Sequence, residues 1–296
     1  MARAGDFNGD GISDLAVSDP YYDGSKGMVA VVFGKSGGLS SVVSLPSSLG
    51  TSALAIRGNS GLFGANVIGI PGLYGPRAAL VVAAPFTNSN AGTVHVFRDL
   101  VGASFDVSNA SATLEGTASV RLGYFGLGTL RGIPGIGSPA ISFGLPRFAP
   151  SGRLRAWFGP SANVLQDVAV DVANPEALVS QSFSRVHVSS AYSGTSLTGS
   201  FIGSSTPDIV VSQRAIAATP SQLLIIDGDR MPAMPGSPSS VQDLAPVRVD
   251  LPTDWGDFAY VTTAVRDLDG DDYADIAIGE GLYGAGTLDG RVIVLH

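Results

Sequence analysis

Oxygen-bearing side chains at alternate positions are the chemistry this sequence declares first. In "GDFNGDGISDLAVSDP", residues 5–20, Asp6, Asn8, Asp10 and Asp14 fall at positions 1, 3, 5 and 9 of a loop. The backbone carbonyl of Ile12 fills position 7. Oxygens at that spacing turn inward on one hard cation, calcium by preference, while Gly11 permits the sharp turn. A helix-loop-helix calcium site would need a bidentate Glu at position 12, but Val17 stands there inside an apolar run. The loop therefore reads as a hairpin between two strands.

Near the other end of the chain the pattern returns, as Asp267, Asp269, Asp271, the Tyr273 carbonyl and Asp275. Asp272 replaces the glycine, and Asp tolerates a left-handed turn better than most residues. Carboxylates so crowded repel one another unless a cation binds. Two calcium sites are expected, both structural: a cage filled by four or five protein oxygens leaves little open coordination for a substrate.

These loops need strands to hold them, and apolar runs of four to six residues bounded by Gly and Pro supply them; no run has helical periodicity. The runs repeat. "DLAVSDP" at Asp14 has counterparts in "ALVVAAP" at Ala79, "AISFGLP" at Ala140, "DIVVSQR" at Asp208 and "DIAIGEG" at Asp275, at intervals of 65, 61, 68 and 67 residues. A second run follows each, beginning near Gly27, Gly92, Gly152, Ser221 and Gly290. Ahead of the later copies sit Phe63-Gly64, Leu122-Gly123, Phe183-Ser184 and Trp255-Gly256. A repeat of this size, with roughly four short strands, cannot bury both faces of its sheet alone. Stacking such sheets radially solves the problem, which is a β-propeller; a long sandwich would not explain the fixed period.

The expected fold is thus all-β, a single propeller domain over residues 1–296 built of about five four-stranded blades. Its repeats fall at roughly 1–61, 62–120, 121–181, 182–253 and 254–296. The first repeat is expected to lack its first strand and the fifth its fourth, and bare strand edges invite association.

An FG pair ahead of a strand, an Asp-rich loop, a strand ending near Pro and then G-x-V-x-V resembles the FG-GAP repeat of the integrin alpha-subunit head. The likeness is sharpest in the first and fifth repeats. It implies calcium in the Asp loops, ligand binding on the opposite face, and adhesion-like use. Integrin heads carry seven blades, whereas five repeats are countable here. In the second and third repeats Pro71 and Pro134 take the place of the metal loop without supplying carboxylates. The fourth keeps Asp208 but offers "SFIGSSTP" before it.

On the opposite face lie the connections between the second and third strands of each repeat. They present Tyr21, Tyr22, Phe86, Arg147 and Tyr283 as candidate ligand-binding residues, with amides such as Asn88 and Asn90 beside them. Aromatics near amides and Arg suit a sugar or a protein loop.

Bulk composition narrows the alternatives. Charged residues make up 14% of the chain and net charge is −8, against a nucleic-acid surface or anchorage to acidic lipid. Cysteine is absent, excluding disulfides and thiolate metal sites. No apolar run is long enough to span a membrane, so no membrane insertion is expected, and no signal-peptide pattern opens the sequence. "GKSGG", residues 34–38, matches the nucleophile-elbow spacing, but it leads into a polar hairpin loop rather than a helix. "GAGTLDG", residues 284–290, misses the dinucleotide spacing. No catalytic residue is assigned. The sequence points to an extracellular or periplasmic binding module for a glycan or surface protein. The alternatives are a structural subunit assembling through open strands and a polysaccharide-acting enzyme on a propeller scaffold.

Overall fold

A computed structural model describes residues 1–38, 49–50, 52–73, 75–116, 121–124, 127–130, 139–145, 153–157, 170–171, 182–187, 193–213, 222–230, 239–240, 246–250, 261–264, 267–283 and 289–296. The chain is all-β: among the described residues the strands gather in five sheets, with only short helical turns. Two compact units divide it, Met1–Tyr124 with Gly159–Gln181 and Phe125–Phe158 with Ser182–His296.

The first sheet runs through β1 (Ala2–Gly5), β2 (Asp14–Asp19), β3 (Met28–Val32) and β4 (Ala53–Arg57), each antiparallel to the last. The second contains β5 (Asn66–Pro71), β6 (Ala78–Ala84) and β7 (Thr93–Phe97). After them come β8 (Ser104–Asp106) and β9 (Ala112–Glu115), of which only β9 joins this sheet. In the third, β10 (Leu127–Leu130), β11 (Ala140–Leu145) and β12 (Arg153–Trp157) are followed by β13 (Val170–Asp171) and β14 (Ser182–His187), with β14 closing the sheet. The fourth has β15 (Ser193–Gly199), β16 (Asp208–Gln213), β17 (Gln222–Ile226), then β18 (Ser239–Ser240) and β19 (Val247–Asp250). The fifth is β20 (Val261–Ala264), β21 (Ile276–Tyr283) and β22 (Asp289–Leu295). Every one of the ten apolar runs is a strand.

Three details differ from the sequence expectation. The first repeat has a first strand after all: β1 pairs with β2 through a register shift at Gly5. Its sequence, Ala-Arg-Ala-Gly, carries no β-branched or aromatic residue, so its signal was absent. Phe183-Ser184 lies inside β14, rather than leading into β15; Trp255-Gly256 falls outside the described residues. The third difference is a fifth strand on the outer edge of the first three sheets. β8, β13 and β18 each leave the connection between the third and fourth strands of one sheet and pair parallel with β4, β9 and β14 of the preceding one. An uncovered edge presents a row of unpaired N–H and C=O groups, and these short segments cap it.

Alternation explains the core. Val29 and Val31 on β3, Leu54 and Ile56 on β4, and Leu80 and Val82 on β6 are all fully buried in one cluster with Phe7, Phe63 and Phe97. Phe63 and Phe97 meet edge to face, with ring centroids 6.1 Å apart. β1 packs on β5 so closely that a Cβ on Gly69 would collide with the Ala4 backbone. A second cluster joins Val210, Leu223 and Ile225 of the fourth sheet to Ile276 and Ile278 of the fifth.

Candidate functional site

The loop between β1 and β2 is wound on its own side chains. Asp6 accepts the Gly9 N–H on Oδ1 at 2.7 Å and the Gly11 N–H on Oδ2 at 2.9 Å. Asn8 Oδ1 accepts from the Asp10 N–H at 2.9 Å, and Asp10 Oδ1 from the Ile12 N–H at 2.8 Å. Each side-chain oxygen thus bonds backbone two or more residues ahead, which is why Asp and Asn bend the chain here. Gly9 and Gly11 both sit at φ 84°, and Gly9 has a second reason to lack a side chain: the Arg77 guanidinium lies where its Cβ would be.

Asp14 does something different. It is 3% exposed, and both its oxygens face backbone: Oδ1 accepts from Gly34 at 2.8 Å, Oδ2 from Phe7 at 2.9 Å and Asn8 at 3.2 Å. Burial pushes its pKa up, the three N–H groups pull it down, and the neighbouring Asp10 charge adds to the rise. The same tether recurs at Asp208, fully buried, which accepts from Phe201 at 2.9 Å, Ile202 at 3.0 Å and Gly228 at 3.2 Å. Asp275, 1% exposed, accepts from Leu268 at 2.7 Å, and the His296 Nδ1 stands 3.3 Å from its other oxygen.

The loop before Asp275 reproduces the first. Asp267 accepts the N–H groups of Gly270 at 2.6 Å and Asp272 at 3.0 Å, and these bonds hold its carboxyl below the usual carboxylate range. Asp271 accepts from Tyr273 at 2.8 Å. Asp272 sits at φ 71°, the left-handed conformation that Gly11 occupies in the first loop. Asp267, Asp269 and Asp271 each offer a carboxylate oxygen within 4.8 Å of the other two, and Asp269, Asp275 and His296 form a second such group. Because a carboxylate oxygen has more than one acceptor direction, an N–H bond does not bar a cation. The donor set, nearly all oxygen, fits a hard divalent ion in both loops.

The corresponding loop of the fourth sheet, residues 200–207, has no such donors. Instead Asp229, following β17, accepts from the backbone of Ser205 at 2.9 Å and of Thr206 at 3.0 Å, and from both hydroxyls at 2.8 Å. Those bonds bring its pKa down to about 2. Asp227 accepts from the Ser204 hydroxyl at 2.9 Å. In the second sheet Pro71 ends β5 without a carboxylate; Pro134 lies outside the described residues.

At the opposite end of β2 and β6, the connections to β3 and β7 share an unusual backbone. Asp23, Gly24 and Ser25 have φ 48°, 67° and 70°; Asn88, Ser89 and Asn90 have φ 47°, 58° and 64°. Three consecutive left-handed residues are costly, and the reason lies in what the carbonyls reach. The Leu62 N–H donates to Ser25 O at 3.1 Å, and the Arg121 N–H to Asn90 O at 2.9 Å, so each turn clamps the lead-in to the next sheet. Tyr21 is 73% exposed and Tyr22 is 38% exposed. Phe86 is half-buried, edge to face with Tyr124 at 5.2 Å and with the Arg121 guanidinium 4.9 Å from its centroid. Arg147 lies outside the described residues; Tyr283 ends β21, its side chain likewise outside them. Arg121 was not singled out in the sequence. Its signal was a charged residue at the position held by Leu62 one repeat earlier.

After β3, the "GKSGG" segment forms a turn in which the Gly38 N–H donates to the Lys35 carbonyl. Gly34 in that segment serves Asp14, which leaves no nucleophile elbow among the described residues. Among them, too, no helix is long and apolar enough to cross a membrane. The family model described as FG-GAP repeat matches residues 2–32, the segment from β1 through the Asp loop to the end of β3. No curated protein matches the chain.

Proposed function

We propose that this chain, which carries an FG-GAP repeat at residues 2–32, is a calcium-stabilised extracellular β-propeller that binds a glycan or a surface protein. The observation that carries the reading is the division of labour within that repeat. One end of β2 holds a loop whose side-chain oxygens are bound up with their own backbone; the other end presents exposed Tyr21 and Tyr22. The parallel strands that cover the outer edges of the first three sheets support a propeller, since they repeat three times with the same connectivity. Asp6, Asn8, Asp10, Asp14 and the Ile12 carbonyl hold one cation, and Asp267, Asp269, Asp271, Asp275 and the Tyr273 carbonyl the other. The ions stiffen the loops and take no part in recognition. Probing a broad glycan array in millimolar calcium tests the proposal. Coherent hits weakened by Tyr21→Ala and Tyr22→Ala support it; hits that survive both changes and vanish with Asp10→Asn place recognition at the metal loop and overturn it.

One observation favours a second reading, assembly through an open edge. β22 pairs only with β21 among the described residues, and its Val292 is 70% exposed. A defined multimer in solution, dispersed by Val292→Lys, identifies that mode.

A further inference from the structure

The two acidic loops differ most in the cations beside them. Arg77, on the lead-in to β6, lies across the first loop, where a Cβ added to Gly9 would collide with its Nε and Cζ. The next residue holds it there, since the Ala78 N–H donates to the Asp6 carbonyl at 2.8 Å. Asp99 does not cancel that charge: its carboxylate stands 3.7 Å from Arg77 and 3.7 Å from Arg98, one acid between two guanidiniums. A second cation reaches the same loop from β1, where the Arg3 Nε donates to the Ser13 hydroxyl at 2.9 Å. Arg3 pairs with Leu15, the residue after Asp14, and Ala264 pairs with Ile276, the residue after Asp275. The fifth sheet thus has alanine in the place of Arg3.

We infer that Arg77, with Arg3, holds the calcium affinity of the first loop below that of the fifth sheet's loop, so that the two ions load in order. The inference rests on the proposed calcium reading and adds its regulation. The fifth sheet's loop carries Asp267, Asp269, Asp271, Asp272 and Asp275, against Asp6, Asp10 and Asp14 in the first. With Arg3 and Arg77 beside it, the first loop comes to a charge of −1. The other keeps −3 even when Arg266, next to it in sequence, and His296, 3.3 Å from Asp275, are both taken as cations. Affinity for calcium in an oxygen cage rises with the charge of its ligands, and a neighbouring cation opposes a divalent ion. The loop that loads last is the one bonded to the second sheet through Ala78, so calcium tightens that junction only at the higher concentration.

The test titrates the chelator-stripped whole chain with calcium by calorimetry near neutral pH. Two binding steps should differ by about ten-fold or more in dissociation constant. Asp271→Asn should weaken the tighter step and Asp10→Asn the weaker one. Arg77→Gln should tighten the weaker step about three-fold and leave the other alone, the scale of one screened charge acting on a divalent ion. That gain should vanish in about 1 M sodium chloride. Arg77→Lys keeps the charge while losing the packing on Gly9, and should bind as the parent does; the Arg77 side chain is 42% exposed, so both changes spare the core. Equal affinities, a tighter step that depends on Asp10, or a weaker step unmoved by Arg77→Gln overturns the inference while the calcium reading stands. Equal tightening by Gln and Lys overturns it too, since packing rather than charge would then set the affinity. If calcium binds at neither loop, both fall.

Discussion

The loops that precede Asp14 and Asp208 end on the same tether and are otherwise held in different ways. In each, a buried aspartate accepts two N–H groups from the start of its own hairpin loop and one from beyond the next strand: Phe7, Asn8 and Gly34 in the first, Phe201, Ile202 and Gly228 in the second. Around Asp14 the remaining positions carry Asp6, Asn8 and Asp10. Around Asp208 they carry Ser200, Ile202 and Ser204, and Asp229 reaches in from another segment to bind Ser205 and Thr206. The tether is thus the framework of the turn, and the cation-ready oxygens are an addition that this chain also does without. In one loop negative charge gathers and asks for a metal; in the other Asp229 is satisfied by four protein donors and Asp227 takes the Ser204 hydroxyl.

The largest effect should come from breaking the shared framework. Asp208→Ala leaves N–H donors without an acceptor at a fully buried site and should cost about 3 kcal/mol, with or without calcium, by chemical denaturation. Asp14→Ala should cost a similar amount in chelator. A far smaller loss at Asp208 would mean that the tether is not the common element.

Acid supplies a reference that belongs to neither loop. His95, in the middle of β7, is buried between the Thr93 and Thr113 hydroxyls, each 3.1 Å from a ring nitrogen, and burial pulls its pKa from 6.5 down to about 4. The unfolded chain takes up this proton below pH 6.5, the folded chain only near pH 4. Stability is therefore full above 6.5 and declines across that window, by about 3 kcal/mol. The decline should be the same with calcium or chelator and absent in a folded His95→Gln variant.

Calcium sharpens the contrast on a smaller scale. At ten times its dissociation constant, each site should add about 1.4 kcal/mol. Asp10→Asn and Asp271→Asn should each remove one such increment, measured as the calcium-induced shift in unfolding midpoint. Asp229→Asn should act least on global stability and most locally, speeding amide exchange at Ser205 and Thr206. Its low pKa sets the sign: the Asp229 staple is complete above pH 3.8 and is lost as pH falls through about 2.

Much of this was legible in the sequence because period-2 alternation and Asp spacing are local. Runs such as "DLAVSDP", which buries one face, and "ALVVAAP", which buries both, must be apolar. What escaped depends on partners distant in the chain. Ser239–Ser240 has no strand pattern and becomes a strand only because the β14 edge needs covering. Asp14 reads as a metal ligand from its spacing, yet its N–H partners include Gly34, twenty residues away. Phe86 reads as an exposed aromatic, but its partners Arg121 and Tyr124 come from the lead-in to the third sheet. The left-handed turns were written in residue type all along, as Asp-Gly-Ser and Asn-Ser-Asn, since Asp, Asn and Gly bear that conformation most readily.

Amide hydrogen exchange at pH 7, read residue by residue in calcium and in chelator, tests the contrast most directly. Calcium should protect Gly9, Gly11 and Ile12 in the first loop and Gly270, Asp272 and Tyr273 in the fifth sheet's loop, while Ser205 and Thr206 stay unchanged. Equal protection of all three loops, or none in any, would contradict the account.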